Sequence, residues 1–343
     1  MAIGKWAFTM CAALAVAAAP LVPAHAAEPT LAVVKKRGQV SCGVNNNLPA
    51  FSFLNDKKER LGFDTDYCRA IAAAVLGDAA KVKFVPLPIA KRFEALKSGE
   101  IDVLLRHSII TMGRTVGAGV RYAAVNFIDG QAFVASKALN LNALNAFDKQ
   151  TVCLTRQTPH QDNVEIWFRL RGLTITTLAF DDQDAMYEAF FANKCTLVTQ
   201  EATVLALTII ASGKAASYLM LPEIISREPL GPYVRSGDDQ WFDVVHWTHN
   251  AMVEAEERGV SQANVDEQRT SKDPNVQRLL GVEPGYGKVL GLDEKWAYNV
   301  IKQVGNYADT YERNFGSGSP LKFARGVNGL LGQGGFMFAL PMR

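Results

Sequence analysis

The pattern of apolar and polar residues in the first part of the chain predicts alternating strands and helices. Short apolar runs predict buried strands at 39–44, 83–87 and 101–105. Apolar residues at helical spacing predict helices over 62–76 and about 90–97. This strand–helix–strand–helix–strand order is typical of a parallel sheet with crossover helices on its faces.

The second part of the chain repeats this alternation. Its predicted strands are 127–135, 151–154, 174–178, 196–199 and 217–221, and its predicted helices are 162–170, 182–192 and 203–211. Residues 187–198 parallel residues 93–104 in pattern. Two similar α/β lobes imply a cleft between them, which is the usual place for a small ligand.

The last third of the chain predicts a return to the first lobe. Residues 228–235 predict an extended strand, and residues 240–258 predict a long amphipathic helix. From residue 265 onwards the chain has helical runs and a glycine-rich tail. We expect this final segment to wrap the first lobe.

Residues 1–27 differ from the rest of the chain. Lys5 precedes an apolar, alanine-rich run over 7–22, and Ala24-His25-Ala26 supplies the small residues of a cleavage site. This pattern predicts a secretory signal peptide, cut after Ala26 or Ala27. The alternative is a membrane anchor, but the apolar run is short for a span of about 20 residues.

Bulk composition bounds the class of protein. The chain has 343 residues with a formal net charge of +2, and 20% of its residues are charged. At roughly 100–200 residues per domain, this length suggests two domains once a leader is removed. Acidic and basic residues are interspersed, so we expect no nucleic-acid partner, which would need clustered Lys and Arg.

Four cysteines remain after the predicted leader: Cys42, Cys68, Cys153 and Cys195. An even number in an exported protein permits disulfides, although spacing alone leaves three pairings open. The two early and the two late cysteines fall in separate halves, so we predict Cys42–Cys68 and Cys153–Cys195. The alternative is four buried thiols, because a free cysteine packs as a small apolar residue.

The stretch from Gly99 to Arg114 joins a predicted buried strand to a polar loop. Ligands of open α/β sheets bind outside the carboxyl ends of the strands, which is where this loop begins. An arginine there suits a carboxylate, because its planar fork donates two parallel hydrogen bonds. The alternative is an exposed arginine in a surface loop.

Several segments resemble a known family. Gly62-Phe63-Asp64-Thr65-Asp66 before an apolar helix, and Gly99-Glu100-Ile101-Asp102 with the loop to Arg114, are similar to the family 3 bacterial extracellular solute-binding proteins. The segments 221–232 and 237–243, the four cysteines, Gly305-Asn306-Tyr307 and the tail at 318–322 resemble the general L-amino-acid-binding proteins of ABC importers. The resemblance covers essentially the whole mature chain.

The resemblance implies an α/β, two-lobed type II periplasmic binding protein fold. Each lobe would contain a mixed, mainly parallel sheet flanked by helices, with the ligand in the cleft between the lobes. Lobe 1 would comprise 28–136 and 231–343, and lobe 2 would comprise 137–230. The hinge would lie near 135–137 and 230–233.

The resemblance also implies roles for particular residues. Arg114 would hold the ligand's α-carboxylate with help from the loop before it, Thr158 would grip it from the other lobe, and Glu201 would take the α-ammonium. The sequence departs from the family pattern at Ile109, Gln157 and Pro159. The full set of expected ligand-binding residues is Phe51, Arg106, His107, Ser108, Ile109, Arg114, Thr158, His160 and Glu201.

The implied function is capture of a small carboxylate-bearing solute, an amino acid by resemblance, for an ABC importer in the periplasm. Closure of the lobes would bury the ligand and shape the surface that the permease subunits recognise. We expect a monomer, no cofactor and no metal ion.

Three other functions remain open from the residues. Glu201 facing Arg114 would suit the general acid of a cyclohexadienyl or arogenate dehydratase on the same fold. A sensor module would bind the same ligand and dock on a receptor. His246 and His249 share a helix face as metal ligands do, but no third ligand is evident.

Overall fold

The fold is described from a computed structural model, which covers Met1, Gly4, residues 28–141 and residues 144–343. The predicted signal peptide therefore lies almost entirely outside the described residues. No helix in the described ranges combines the length and the apolar character needed to cross a bilayer.

The chain alternates strands and helices throughout. The strands are β1 Val40–Val44, β2 Phe53–Leu54, β3 Arg60–Leu61, β4 Val82–Pro86, β5 Val103–Leu104, β6 Val120–Tyr122, β7 Phe127–Asp129, β8 Gln131–Ser136, β9 Gln150–Thr155, β10 Ile175–Phe180, β11 Leu197–Glu201, β12 Tyr218–Met220, β13 Glu228–Leu230 and β14 Tyr233–Arg235. The α-helices are α1 Thr30–Arg37, α2 Phe63–Leu76, α3 Arg92–Ser98, α4 Met112–Gly117, α5 His160–Arg169, α6 Gln183–Phe191, α7 Ala202–Ala211, α8 Asp239–Glu257, α9 Val265–Gln268, α10 Pro274–Leu279, α11 Tyr286–Leu290, α12 Trp296–Gln303 and α13 Tyr307–Asn314.

The first sheet has five strands in the order β4-β1-β5-β14-β6. β1 runs parallel to β4 and β5, whereas β14 is antiparallel to β5 and β6. All five residues of β1 are buried, as expected for a central strand covered by helices on both faces. α2 begins with two acidic residues in its first turn and ends at a left-handed glycine, Gly77. The predicted β–α–β–α–β unit is confirmed.

The second sheet also has five strands, in the order β10-β9-β11-β8-β12. β9 runs parallel to β10 and β11, and β8 is antiparallel to β11 and β12. Each sheet is therefore mixed and contains a parallel core. This pair of sheets confirms the predicted α/β, type II periplasmic binding protein architecture.

The single strand predicted over 127–135 is wrong. The chain breaks at Gly130 into β7 and β8, and β7 pairs with β13 in a separate two-stranded ribbon between the sheets. A Cβ at Gly130 would lie 2.4 Å from Cγ2 of Ile224, so only glycine allows this close approach. The first crossing between the sheets is therefore at Gly130, earlier than the predicted hinge at 135–137.

The limits of the two lobes remain a prediction. One strand, β8, belongs to a different sheet from the one that these limits imply. β8, at 131–136, hydrogen-bonds in the second sheet, whereas the predicted segment 28–136 assigns it to lobe 1. The predicted return strand over 228–235 is also interrupted: β13 belongs to the ribbon and β14 to the first sheet. Gly231 stands between them, where a Cβ would lie 1.8 Å from the carbonyl oxygen of Ala124.

Both predicted disulfides are present. Cys42–Cys68 joins β1 to α2, and Cys153–Cys195 joins β9 to the residues before β11. Each bond closes a loop within one sheet and its helices, and neither crosses between the sheets.

The C-terminal segment packs on the first sheet, as predicted. Residues from α9 to α13, together with Leu330 and Met337, share one hydrophobic core with α2, α8 and β1. Separate cores flank the second sheet. The tail therefore enlarges the first lobe, and the core that it joins also includes Val204 and Leu207 of α7.

Candidate functional site

A small cavity lies between the two sheets, at the carboxyl ends of their central strands. It measures about 20 Å³, which is room for about one water molecule. The residues around it are Asn45, Ile89, Arg92, Arg106, His107, Ser108, Ile109, Arg114, Thr158, His160, Gln183, Gln200 and Glu201. Every residue predicted to bind ligand is therefore present here except Phe51.

Phe51 lies behind the cavity wall. It is buried in an aromatic cluster with Phe63, Phe127 and Phe315, and its ring packs edge-on against His107 with centroids 4.1 Å apart. Its contact with the site is therefore through His107. The sequence could not distinguish these two places, because an aromatic beside a strand end can stack on a ligand or pack into the core.

Arg114 reaches across the gap from α4. One terminal guanidinium nitrogen donates to the carbonyl of Ile109 at 2.7 Å, and the other donates to the carbonyl of Gln157, in the second lobe, at 3.5 Å. The guanidinium also lies 5.6 Å from the ring centre of Phe93. None of the ion pairs among the described residues includes Arg114, so its charge is free to meet an anion.

Two further arginines share this end of the cavity. Arg92 donates to the same Gln157 carbonyl at 3.3 Å, and the Nε of Arg106 donates to the carbonyl of Leu87 at 2.7 Å. Burial lowers the pKa of all three guanidinium groups, to about 10 for Arg106. The cavity therefore has a strongly cationic end.

The opposite end is acidic and contains both histidines. Glu201 ends β11 with its Oε1 3.5 Å from Nε2 of His160 and 3.7 Å from Nδ1 of His107. His160 Nε2 also lies 3.4 Å from Oε2 of Glu228, the first residue of β13. Ser226 donates to the other oxygen of Glu228 at 2.7 Å.

The pKa values of the two histidines are shifted in opposite directions. Burial would lower the pKa of His160, but the carboxylates of Glu201 and Glu228 raise it to about 10. Burial lowers the pKa of His107 to about 4, which the charge of Glu201 only partly offsets. Burial would raise the pKa of Glu201, but the neighbouring imidazoles bring it below its usual value. At neutral pH His160 is therefore charged and His107 is neutral.

The backbone at two cavity residues is held in the left-handed region. His107 has φ +47° and Gln157 has φ +59°. Such conformations are uncommon for residues other than glycine and cluster at binding sites. The amide of His107 donates to Asp64 at 2.9 Å, which ties the strained turn to the start of α2.

The hydroxyl groups predicted to contact ligand are already engaged within the protein. Thr158 donates to the carbonyl of Thr155 at 2.8 Å, and Ser108 donates to the carbonyl of Arg106 at 3.3 Å. Their oxygens remain able to accept. Ile109, which stands where the family pattern has a hydroxyl residue, contributes its carbonyl to Arg114 and to Tyr233.

A second compartment adjoins the first. It measures about 330 Å³ and shares Asn45, Ile89, Arg106 and Gln183 with the smaller cavity. Its outer wall is formed by the turn before α6, with Asp181, Asp182 and Asp184. The gap between the sheets therefore extends from the charged centre to an open rim.

Sequence reasoning missed several residues of this site. Arg92 and Glu228 are the most informative, because one adds a charge at the cationic end and the other at the acidic end. Arg92 follows the carboxyl end of β4, which is a signal that could have found it. Glu228 carries no such signal, because its position depends on how the ribbon crosses between the sheets.

The histidines on α8 have other partners. His246 contacts the carbonyl of Ala123 through Nδ1 at 2.6 Å, and His249 contacts the hydroxyl of Tyr67 at 3.0 Å. His246 thus contacts the residue after β6, and His249 contacts α2, so packing of α8 explains both side chains.

Comparison with known proteins gives consistent matches. Residues 40–263 match the family described as bacterial extracellular solute-binding proteins, family 3. The general L-amino acid-binding periplasmic protein AapJ of Rhizobium johnstonii is 41% identical, over 97% of this chain and 98% of the relative. The glutamate/glutamine/aspartate/asparagine-binding protein BztA of Rhodobacter capsulatus is 41% identical, over 96% and 97%.

One solved structure matches nearly the full chain. It is an ABC transporter periplasmic binding protein from Brucella ovis with glutathione bound. The TM-score is 0.89 with 42% sequence identity, and the match covers 92% of this chain and 100% of the Brucella chain.

Proposed function

Because this chain belongs to the bacterial extracellular solute-binding proteins, family 3, and is an amino-acid-binding protein of ABC transport, we propose that its ligand is an α-amino acid with a further negative charge. The observation that carries this proposal is the separation of charge across the cavity. Three arginines occupy one end, and two carboxylates with their histidines occupy the other.

This arrangement suits a zwitterion. A charged group leaves water at a high cost in free energy unless it finds a partner inside the protein. The α-carboxylate of the ligand would be held by the fork of Arg114, and its α-ammonium by Glu201. Arg92 and Arg114 now donate to the carbonyl of Gln157. On binding, they would donate to the ligand's carboxylate instead.

The balance of charge favours an anionic ligand over a neutral one. The guanidinium groups of Arg92, Arg106 and Arg114 outnumber the carboxylates of Glu201 and Glu228, and His160 adds a further positive charge. Arg106 already interacts with the buried carboxyl group of Asp64, so one α-carboxylate on Arg114 leaves Arg92 without an anion. A second carboxylate, as in glutamate or aspartate, would pair with Arg92.

The small volume of the cavity implies that the lobes move. About 20 Å³ cannot hold an amino acid, so binding requires that the sheets separate and close again. We place the hinge at the ribbon of β7 and β13. The lobes would then keep the predicted limits of 28–136 with 231–343, and 137–230, except that β8 moves with the second lobe.

The partners follow from the same assignment. The closed protein would dock as a monomer on the permease subunits of the importer, in the periplasm. The chain is a binding protein rather than a dehydratase or another enzyme, because its full-length relatives are binding proteins.

A longer ligand is the second candidate. The compartment of about 330 Å³ continues from the cavity, and its wall carries Asn45, Asn46 and Asn47, whose amides could contact a peptide backbone, beside the three aspartates. A γ-glutamyl peptide such as glutathione would place its glutamyl part in the charged centre and the remainder in this compartment.

Calorimetric titration of the mature chain, in excess chelator, tests both candidates. Glutamate and glutamine have nearly the same shape and differ in charge, so they form a matched pair. A charge-assisted bond contributes roughly 1.5–3 kcal/mol, so glutamate should bind about 10- to 100-fold more tightly than glutamine. Glutathione tests the longer ligand, and lysine serves as a control of opposite charge.

Each result has a distinct meaning. Equal or tighter binding of glutamine would refute the role of the excess positive charge. Tight binding of glutathione with weak binding of glutamate would select the second candidate. Absence of binding by every amino acid and by glutathione would refute the proposed ligand class.

A further inference from the structure

Four ionisable side chains from distant parts of the chain meet at the acidic end of the cavity. They are His107 after β5, His160 at the start of α5, Glu201 at the end of β11 and Glu228 at the start of β13. Their side chains are between 1% and 4% exposed. A ligand atom from each of His160, Glu201 and Glu228 lies within 4.8 Å of the others.

The nitrogen–oxygen contacts in this cluster are long for charge-assisted hydrogen bonds. The nitrogen–oxygen distances are 3.4, 3.5 and 3.7 Å, whereas charge-assisted hydrogen bonds are about 2.7–2.9 Å long. Ligands placed 2.0–2.1 Å from a metal ion at tetrahedral angles stand roughly 3.3–3.4 Å apart. His160, Glu201 and Glu228 are thus spaced as ligands of one ion, and His107 adjoins them through its contact of 3.7 Å with Glu201.

The bonding within the cluster is incomplete. The second polar atoms of three members, Glu201 Oε2, His107 Nε2 and His160 Nδ1, are buried without a hydrogen-bond partner in the described residues. An ion held by Glu201 would compensate its charge directly. Glu228 is better supported, because Ser226 donates to its second oxygen at 2.7 Å and fixes the carboxylate in place.

We propose that His107, His160, Glu201 and Glu228 form a site for a divalent transition-metal ion, with Zn²⁺ as the ion that fits the donors best. Imidazole nitrogens and carboxylate oxygens are ligands that zinc accepts in four-coordinate geometry. Two carboxylates would neutralise the charge of a dication, and His160 would release its proton to solvent when its nitrogen binds the ion. This site departs from the expectation of no metal ion, and it shares Glu201 with the proposed ammonium site.

The position of the cluster gives the ion a mechanical consequence. His107 extends from the loop after β5 of the first sheet, whereas Glu201 ends a strand of the second. A bound ion would therefore join the two lobes and favour the closed arrangement. The ligand's ammonium group and a metal ion would both use Glu201. Metal binding is therefore measured in the absence of amino acids.

The test uses the mature chain, stripped of metal with a chelator and then dialysed. Titration with Zn²⁺ in a calorimeter should show one saturable site per chain. Titration with Co²⁺ should give the intense visible absorption of a four-coordinate ion. Loss of a group that only orients a metal ligand weakens zinc binding about 10- to 100-fold. Loss of a ligand itself should weaken it at least as much, so we expect at least this decrease in Zn²⁺ affinity for each of His107→Gln, His160→Gln and Glu228→Gln.

His246→Gln is the matched control, because His246 is on α8 with a backbone partner and lies outside the cluster. It should bind Zn²⁺ as the parent does. A variant whose circular dichroism differs from the parent is set aside, and the remaining variants decide.

The proposal is wrong if the parent shows no saturable Zn²⁺ binding, if the cluster variants bind as tightly as the parent, or if Co²⁺ gives the weak spectrum of a six-coordinate ion. The amino-acid titration is performed in excess chelator. Failure of either experiment therefore leaves the other interpretable.

Discussion

Replacing Arg114 with alanine should separate ligand binding from stability. The guanidinium donates to the carbonyls of Ile109 and Gln157, and both carbonyls keep another donor when it is removed. Tyr233 donates to Ile109 at 2.9 Å, and Arg92 donates to Gln157 at 3.3 Å. No buried acceptor is left unpaired, so the free energy of unfolding should change by less than about 1 kcal/mol.

The loss of affinity should be much larger. Removing one partner of a buried, hydrogen-bonded charge pair costs about 2–5 kcal/mol, because the other charge remains buried without a partner. For the best ligand this corresponds to roughly 30-fold to several thousand-fold weaker binding. Arg114→Lys should fall in between, because lysine keeps the charge but cannot donate two parallel bonds to a carboxylate.

Calorimetric titration of each variant measures the affinity, and urea unfolding measures the stability. Arg121→Ala is the control, because Arg121 pairs with Asp239 on the outside of the first lobe. Unchanged affinity in Arg114→Ala, or an affinity loss matched by Arg121→Ala, would refute the assignment of the carboxylate to Arg114.

Three further predictions concern stability. Removing the disulfide between Cys153 and Cys195 frees a loop of 42 residues. The chain-entropy relation predicts that the free energy of unfolding falls by about 4 kcal/mol, and urea unfolding measures this loss. Gly231→Ala should sharply lower the melting temperature, because its Cβ would meet a carbonyl at 1.8 Å, whereas Gly113→Ala, which meets no atom within 4 Å, should be tolerated. Burial lowers the pKa of His249 from 6.5 to about 3, so between these values the unfolded chain binds a proton that the folded chain does not. Unfolding free energy should therefore fall as the pH decreases through that range, and His249→Gln should flatten the slope.

Each of these has an outcome that would contradict it. The disulfide prediction fails if the reduced and oxidised chains unfold at the same urea concentration. The glycine prediction fails if both substitutions melt alike. The pH prediction fails if the parent and His249→Gln show the same slope.

Much of the site could be anticipated because its residues follow strand ends. Glu201 ends a central strand, and Arg114 follows the loop after another, and the carboxyl ends of strands are where such folds bind ligands. His107 and His160 were placed beside the cleft for the same reason. Phe51 is also predicted to bind ligand, but its ring lies behind the cavity wall, because its position depends on which of two apolar surfaces the ring fills.

The alternation of strands and helices and the division into two lobes were determined by the sequence, because hydrophobic periodicity reflects local burial. The spacing of the four cysteines left three pairings open, and the structure decided that each disulfide stays within one half of the chain. Tertiary structure decided the break at Gly130, since a strand and a strand interrupted by a close contact have the same apolar pattern. It also decided the meeting of Arg92 with Arg114 and of Glu228 with His160. Charges distant in sequence become neighbours only when the sheets are crossed and packed, and the pairing that shifts their pKa values is a property of that arrangement.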